Sequence, residues 1–193
     1  MKEPNRRGES TMAGQLLEKL GMEITRIPDK PGLYAEGGEF YFCAKENILF
    51  SGQCRNSVSG MEAVAEALNI TELVIIQSHS YHLDTYFTPV LNQEGHVCAL
   101  ILCMDIVSVK SARDLNEFAD KKDIPIIDIP LEDAIGTATN PGSFAANALP
   151  LPGALISPSH FSDRSIDDRL ADMGVQRIVT PTTQFELSGG SIH

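Results

Sequence analysis

One pattern recurs through this sequence at a period of about 50 residues: a helix-like segment, a stop, then a short β-branched run. Apolar residues at helical spacing cover residues 10–20, 60–68, 111–120 and 165–173, and the runs that follow them are 23–28, 72–77, 124–130 and 175–181. In the first segment Met12, Leu16, Leu17 and Leu20 share one helix face, and Gly21 ends it. In the last, Ser165 precedes two acidic residues of the first turn, Asp167 and Asp168, and Gly174 follows the final apolar position. Hairpin-like pairs fill the intervals: 40–43 with 48–50, 85–91 with 97–103, and 144–149 with 154–157 around Pro150-Leu151-Pro152-Gly153. Each unit therefore reads ββαβ. A circular array of such units would bury strands centrally, leave helices outside and bring loops together at one end of the axis.

The array is expected to be incomplete. The sequence opens inside a unit, with a helix and a strand but no hairpin before them, and a new strand is barely begun at 185–193. Cut strand edges are an aggregation hazard. About three full units with partial ends are expected over residues 1–193 as one partial domain, with unit ends near 28, 77, 130 and 181. At 193 residues and 42% apolar, such a chain can bury a sizeable core.

Composition narrows the function classes. A net charge of -11 argues against nucleic acid or an anionic membrane surface as partner. The longest apolar run, 97–104, suits a buried strand rather than a membrane span. Residues 1–7 hold no hydrophobic stretch of a signal peptide. Cys43, Cys54, Cys98 and Cys103 show no metal-ligand spacing, so buried free thiols in a reducing cytoplasm are expected, with no metal and no cofactor.

Three islands carry chemistry. Residues 81–88 alternate His82, Asp84 and Tyr86 with Leu83, Thr85 and Phe87; if extended, an imidazole and a carboxylate share one face. A half-exposed edge strand reads equally well from these residues alone. His79 adds a metal reading with His82 and Asp84, weakened because no further His or Cys lies at a plausible spacing. Glu36-Gly37-Gly38-Glu39 puts two carboxylates three residues apart on a backbone that permits close approach, and reads also as an ordinary glycine turn. Arg55-Asn56 sits between a hairpin and its helix, where an Arg fork suits a carboxylate and is also a common surface residue.

Taken together with the terminal Gly189-Gly190-Ser191-Ile192-His193, these islands and the ββαβ period resemble the guanidino-group-modifying, or pentein, superfamily. Arginine and agmatine deiminases, dimethylarginine dimethylaminohydrolase and amidinotransferases share its five-bladed α/β propeller. The resemblance implies an arginine-like guanidino substrate. It makes Glu36 the carboxylate that polarises the guanidinium and His82 the general acid/base. Asp84 and Glu39 would bind substrate, and Arg55 would pair with its α-carboxylate. It also implies a cysteine nucleophile directly after the Gly-Gly-x-x-His element, hence after His193; none of the four cysteines holds that place, so the 193-residue chain is expected to be inactive alone.

The chemistry binds these residue types together. A resonance-stabilised guanidinium carbon needs carboxylates to fix and polarise its nitrogens. A thiolate then forms a covalent amidino intermediate that water or an amine resolves, while His gives one proton and takes another. The sequence departs from the family in having Glu39 where Asp is usual, and in lacking a guanidinium-binding Asp from an earlier blade. Dimethylargininases often carry another residue at the Asp84 position. The expected activity is hydrolysis of arginine or a methylated arginine to citrulline. An amidinotransferase is the alternative within the class, and a non-catalytic pentein binding module, like the ribosome anti-association factors of similar fold, the alternative outside it. Oligomeric state is left open.

Overall fold

The computed structural model describes residues 2, 6–80, 82–187 and 190–193. Met1 and residues 3–5 of the N-terminal segment, Tyr81 of the alternating stretch, and Ser188 and Gly189 of the terminal motif lie outside the described residues.

Three ββαβ units follow one another. The first holds β1 (Phe40–Cys43), β2 (Ile48–Gly52), α2 (Val58–Ala67) and β3 (Glu72–Ile76). The second holds β4 (Phe87–Leu91), β5 (Val97–Leu102), α3 (Val109–Lys122) and β6 (Ile126–Asp128). The third holds β7 (Leu149–Leu151), β8 (Ala154–Ser157), α4 (Ser165–Asp172) and β9 (Gln176–Val179). Each unit makes its own three-stranded sheet, with an antiparallel hairpin and a parallel closing strand on the hairpin's second strand. That pattern follows from the chemistry of the connections: a short turn returns antiparallel, whereas a helix crossover returns parallel.

The leading strands of the units converge. The ring of Tyr41 on β1 meets Phe87 on β4 at 5.9 Å, and the Tyr41 hydroxyl donates to the Ala148 carbonyl just before β7. Phe50 on β2 packs against Phe87 at 5.1 Å and against Phe118 of α3 at 5.4 Å, so one core spans the first two units. β2 and β4 are buried along their whole lengths. Being the first strand of its sheet, β4 tolerates Pro89, which has no N–H to offer a ladder. Removing the fully buried Phe87 ring should cost about 3–5 kcal/mol. Urea unfolding of Phe87→Ala checks this; a cost below about 1 kcal/mol would contradict the packing.

Several sequence expectations change. The first helix, α1 (Arg7–Lys19), forms, but Met12, Leu16 and Leu20 are 72%, 59% and 69% exposed. No strand forms at 23–28. In the complete units a closing strand takes its hydrogen bonds from a hairpin that precedes the helix; among the described residues no hairpin precedes α1. The third hairpin begins at Leu149 rather than 144, because Phe144 adopts φ 50° and its carbonyl accepts from the Asn147 N–H in a turn. Its turn shrinks accordingly to Pro152-Gly153, with Pro150 and Leu151 inside β7. Ser165 is the first residue of α4 rather than its cap; the Asp163 carboxylate accepts its N–H at 2.9 Å. In place of a strand at 185–193, the short helix α5 (Thr183–Glu186) forms and 190–193 have no regular structure. Among the described residues, no helix is long and apolar enough to cross a membrane.

Candidate active site

Residues 82–85 are not extended. Leu83–Thr85 is a single 3₁₀ turn that begins at His82, and β4 starts only at Phe87. Both the N–H and the hydroxyl of Thr85 bond the His82 carbonyl, at 3.1 and 2.6 Å. A hydroxyl two or three residues ahead offers the backbone this alternative to a ladder. The turn presents His82 and Asp84 toward a cavity of about 620 Å³, whose wall also includes Gly38, His79, Asn147 and His193.

The Glu36-Gly37-Gly38-Glu39 island forms another 3₁₀ turn, over Gly37–Glu39, directly against the first. Gly38 lets the two turns approach closely. A Cβ there would stand 2.7 Å from an Asp84 carboxylate oxygen and 2.9 Å from His82 Nδ1. The Glu36 N–H donates to Asn56 Oδ1 at 2.7 Å, which ties this turn to the loop ahead of α2.

Glu36 is buried. Its Oε2 lies 3.3 Å from His82 Nε2 and 3.4 Å from Arg55 Nε, and its Oε1 accepts the Lys2 N–H at 2.8 Å. Burial alone would raise its pKa; the Lys2 amide, His82 and the Arg55 charge outweigh burial and hold the carboxyl below its ordinary value. Glu39 is 0% exposed and both its oxygens are committed to backbone: one to the Arg55 N–H, the other to the Leu83 N–H at 3.0 Å. Burial, with Asp84 and Glu36 nearby, pushes Glu39 up to about 7 despite those two donors. Two carboxylates three residues apart are thus driven in opposite directions.

The far wall comes from the third unit and the last residue. His193 donates its N–H to Asn147 Oδ1 at 2.8 Å, stacks on Tyr41 at 4.2 Å, and brings Nδ1 to 3.4 Å from Asp84 Oδ2. All five residues singled out in the sequence therefore meet, although only His82 and Asp84 are on the cavity wall; Glu36, Glu39 and Arg55 form a layer in contact with it. Sequence reasoning missed Asn147, Gly52 and the Lys2 amide, none of which belongs to a motif. Among the described residues no cluster of His, Cys, Asp and Glu suits a metal ion. The four cysteines are free thiols.

The fold is that of solved structures of the guanidino-group-modifying, or pentein, superfamily, which the chain resembles over 98% of its length. The N-terminal domain of ArgZ, an arginine dihydrolase of Cyanobacteria, solved covalently bound to a reaction intermediate, superposes with a TM-score of 0.76 at 25% identity. AgrE in a binary complex with L-arginine gives 0.77 at 23%, and DDAH from Pseudomonas aeruginosa complexed with citrulline gives 0.68 at 18%. The match covers 98% of this chain in each case, but 64% of the ArgZ domain, 26% of AgrE and 65% of DDAH. The chain thus spans less than two thirds of each of these. No family model and no curated protein sequence matches it.

Proposed function

We propose that this site takes the guanidinium group of arginine or a methylated arginine, and serves its hydrolysis to citrulline through a cysteine-bound amidino intermediate. The observation that carries this reading is Glu36, a buried carboxylate kept ionised, within 3.3 Å of His82 Nε2 beside a cavity. A buried anion flanked by a proton carrier favours a planar cation over a neutral ligand. Glu36 fixes and polarises the guanidinium nitrogens, and Asp84 holds others from the cavity wall. A thiolate attacks the guanidinium carbon, and the departing amine takes its proton from His82. Water, deprotonated by His82, then breaks the C–S bond and frees citrulline and the thiol.

The thiol in this reading directly follows His193, whose backbone and ring are fixed by Asn147 and Tyr41 next to Asp84. Among the described walls of the cavity there is no cysteine, and burial pushes the Cys43 thiol up to about 12. Arg55 is assigned to a substrate α-carboxylate, and its charge also serves Glu36.

Calorimetry with L-arginine, agmatine and L-lysine tests the assignment on the 193-residue chain. L-arginine should bind, agmatine more weakly, and lysine not measurably; equal binding of lysine would overturn guanidinium recognition. The same chain should release no citrulline, and detectable release would refute the place given to the thiol.

A further inference from the structure

Glu39 and Gly52 are matched in size across two elements. An ideal Cβ on Gly52, the last residue of β2, would stand 1.7 Å from Glu39 Oε2 and 2.9 Å from the Leu83 Cβ. The Glu39 carboxylate fills the space that the missing side chain leaves. From there it receives two backbone N–H groups from segments 28 residues apart in sequence, Arg55 and Leu83. The first lies in the loop between β2 and α2; the second opens the turn that carries His82 and Asp84.

We propose that Glu39 is a positioning residue: seated over Gly52, its carboxylate holds the Arg55 loop and the His82–Asp84 turn in register, and does not itself meet substrate. Glu39 is fully buried, each of its oxygens takes a main-chain donor, and it is not among the described residues of the cavity wall. An Asp, one methylene shorter, would leave the space above Gly52 unfilled and draw back from one of the two donors. The clamp also has a proton dependence. Ionised, Glu39 accepts from both N–H groups; protonated, one oxygen becomes a donor facing a donor. The charged and titratable groups around it are Glu36 on its own turn, Asp84 and His82 on the facing turn, Arg55 and Cys54 on the loop, and Tyr86 ahead of β4. The consequence for L-arginine binding rests on the function proposed above; the clamp does not.

Two experiments test it. In a double-mutant cycle read by thermal unfolding, Gly52→Ala should lower Tm sharply in the native background and much less in the Glu39→Asp background. An equal loss in both would overturn the size match. In amide NMR of the native chain, the Arg55 and Leu83 N–H resonances should titrate together with one midpoint near 7, and Glu39→Gln should abolish that step. Flat or unrelated titrations would overturn the clamp even if Gly52→Ala fails to fold. If the clamp serves arginine binding, affinity should fall about tenfold from pH 8 to pH 6, and Glu39→Gln should flatten that profile. Joint amide titration without any arginine binding would leave the clamp standing and remove the substrate.

Discussion

In a chain that carries the attacking thiol, His82→Ala should reduce citrulline release from L-arginine by roughly 10²- to 10⁴-fold, the range spanned by a positioned general acid–base. The expectation follows from placement. His82 stands on a turn fixed by Thr85, points into the cavity, and has Nε2 on the Glu36 carboxylate. Without it the leaving amine has no donor and the hydrolytic water no base. Arginine binding should change little, since Glu36 and Asp84 remain, so the loss should fall on kcat rather than KM. Turnover within tenfold of the native rate would remove His82 from the assigned role.

The second large effect concerns stability against pH, because Glu36 and Glu39 shift in opposite directions. Glu36 has its folded pKa held below the ordinary value of 4.5, so its contribution is present above that value and lost as pH falls through the folded pKa. Replacement by Gln puts a neutral amide beside Arg55 and removes this pH-dependent contribution. Glu39 behaves conversely. Its folded pKa of about 7 lies above 4.5, so its favourable contribution is complete below about 4.5 and is lost as pH rises through 7. A shift of that size amounts to roughly 3 kcal/mol. Urea unfolding across pH 3–8 should therefore show a stability maximum between the two transitions. Glu36→Gln should remove the acid limb, and Glu39→Gln the decline between about pH 4.5 and 7. If either variant leaves its limb unchanged, the environment given to that carboxylate is wrong.

The second effect carries a functional tension. The ionised Glu39 that can hold two backbone donors is the form the fold tolerates least, whereas Glu36 is ionised at no such cost.

Much of the fold was legible because its unit is short and recurs. Alternating or continuous apolar runs ended by glycine and proline located all three hairpins and the three closing strands that have a hairpin to pair with. Residues 23–28 show the limit: β-branched residues favour a strand, but a parallel strand needs an edge supplied by other residues. Residues 82–85 show another. The alternation that suggested a strand face is shared by a turn in which Thr85 returns to the His82 carbonyl. The five site residues stood out because carboxylates, Arg and His beside glycines in loops are chemically distinctive. Gly52 did not, because its meaning lies in the carboxylate that occupies its place.

Tyr41 of the first unit touches its neighbours on three sides: Phe87 of the second unit at one edge, the Ala148 carbonyl just before β7 through its hydroxyl, and the His193 imidazole across its face. The protein contains no Trp and only four Tyr. Its near-ultraviolet emission therefore comes from phenols, and one of these stacks on the imidazole of His193. The molecule carries its own optical reporter of how its three repeats are assembled.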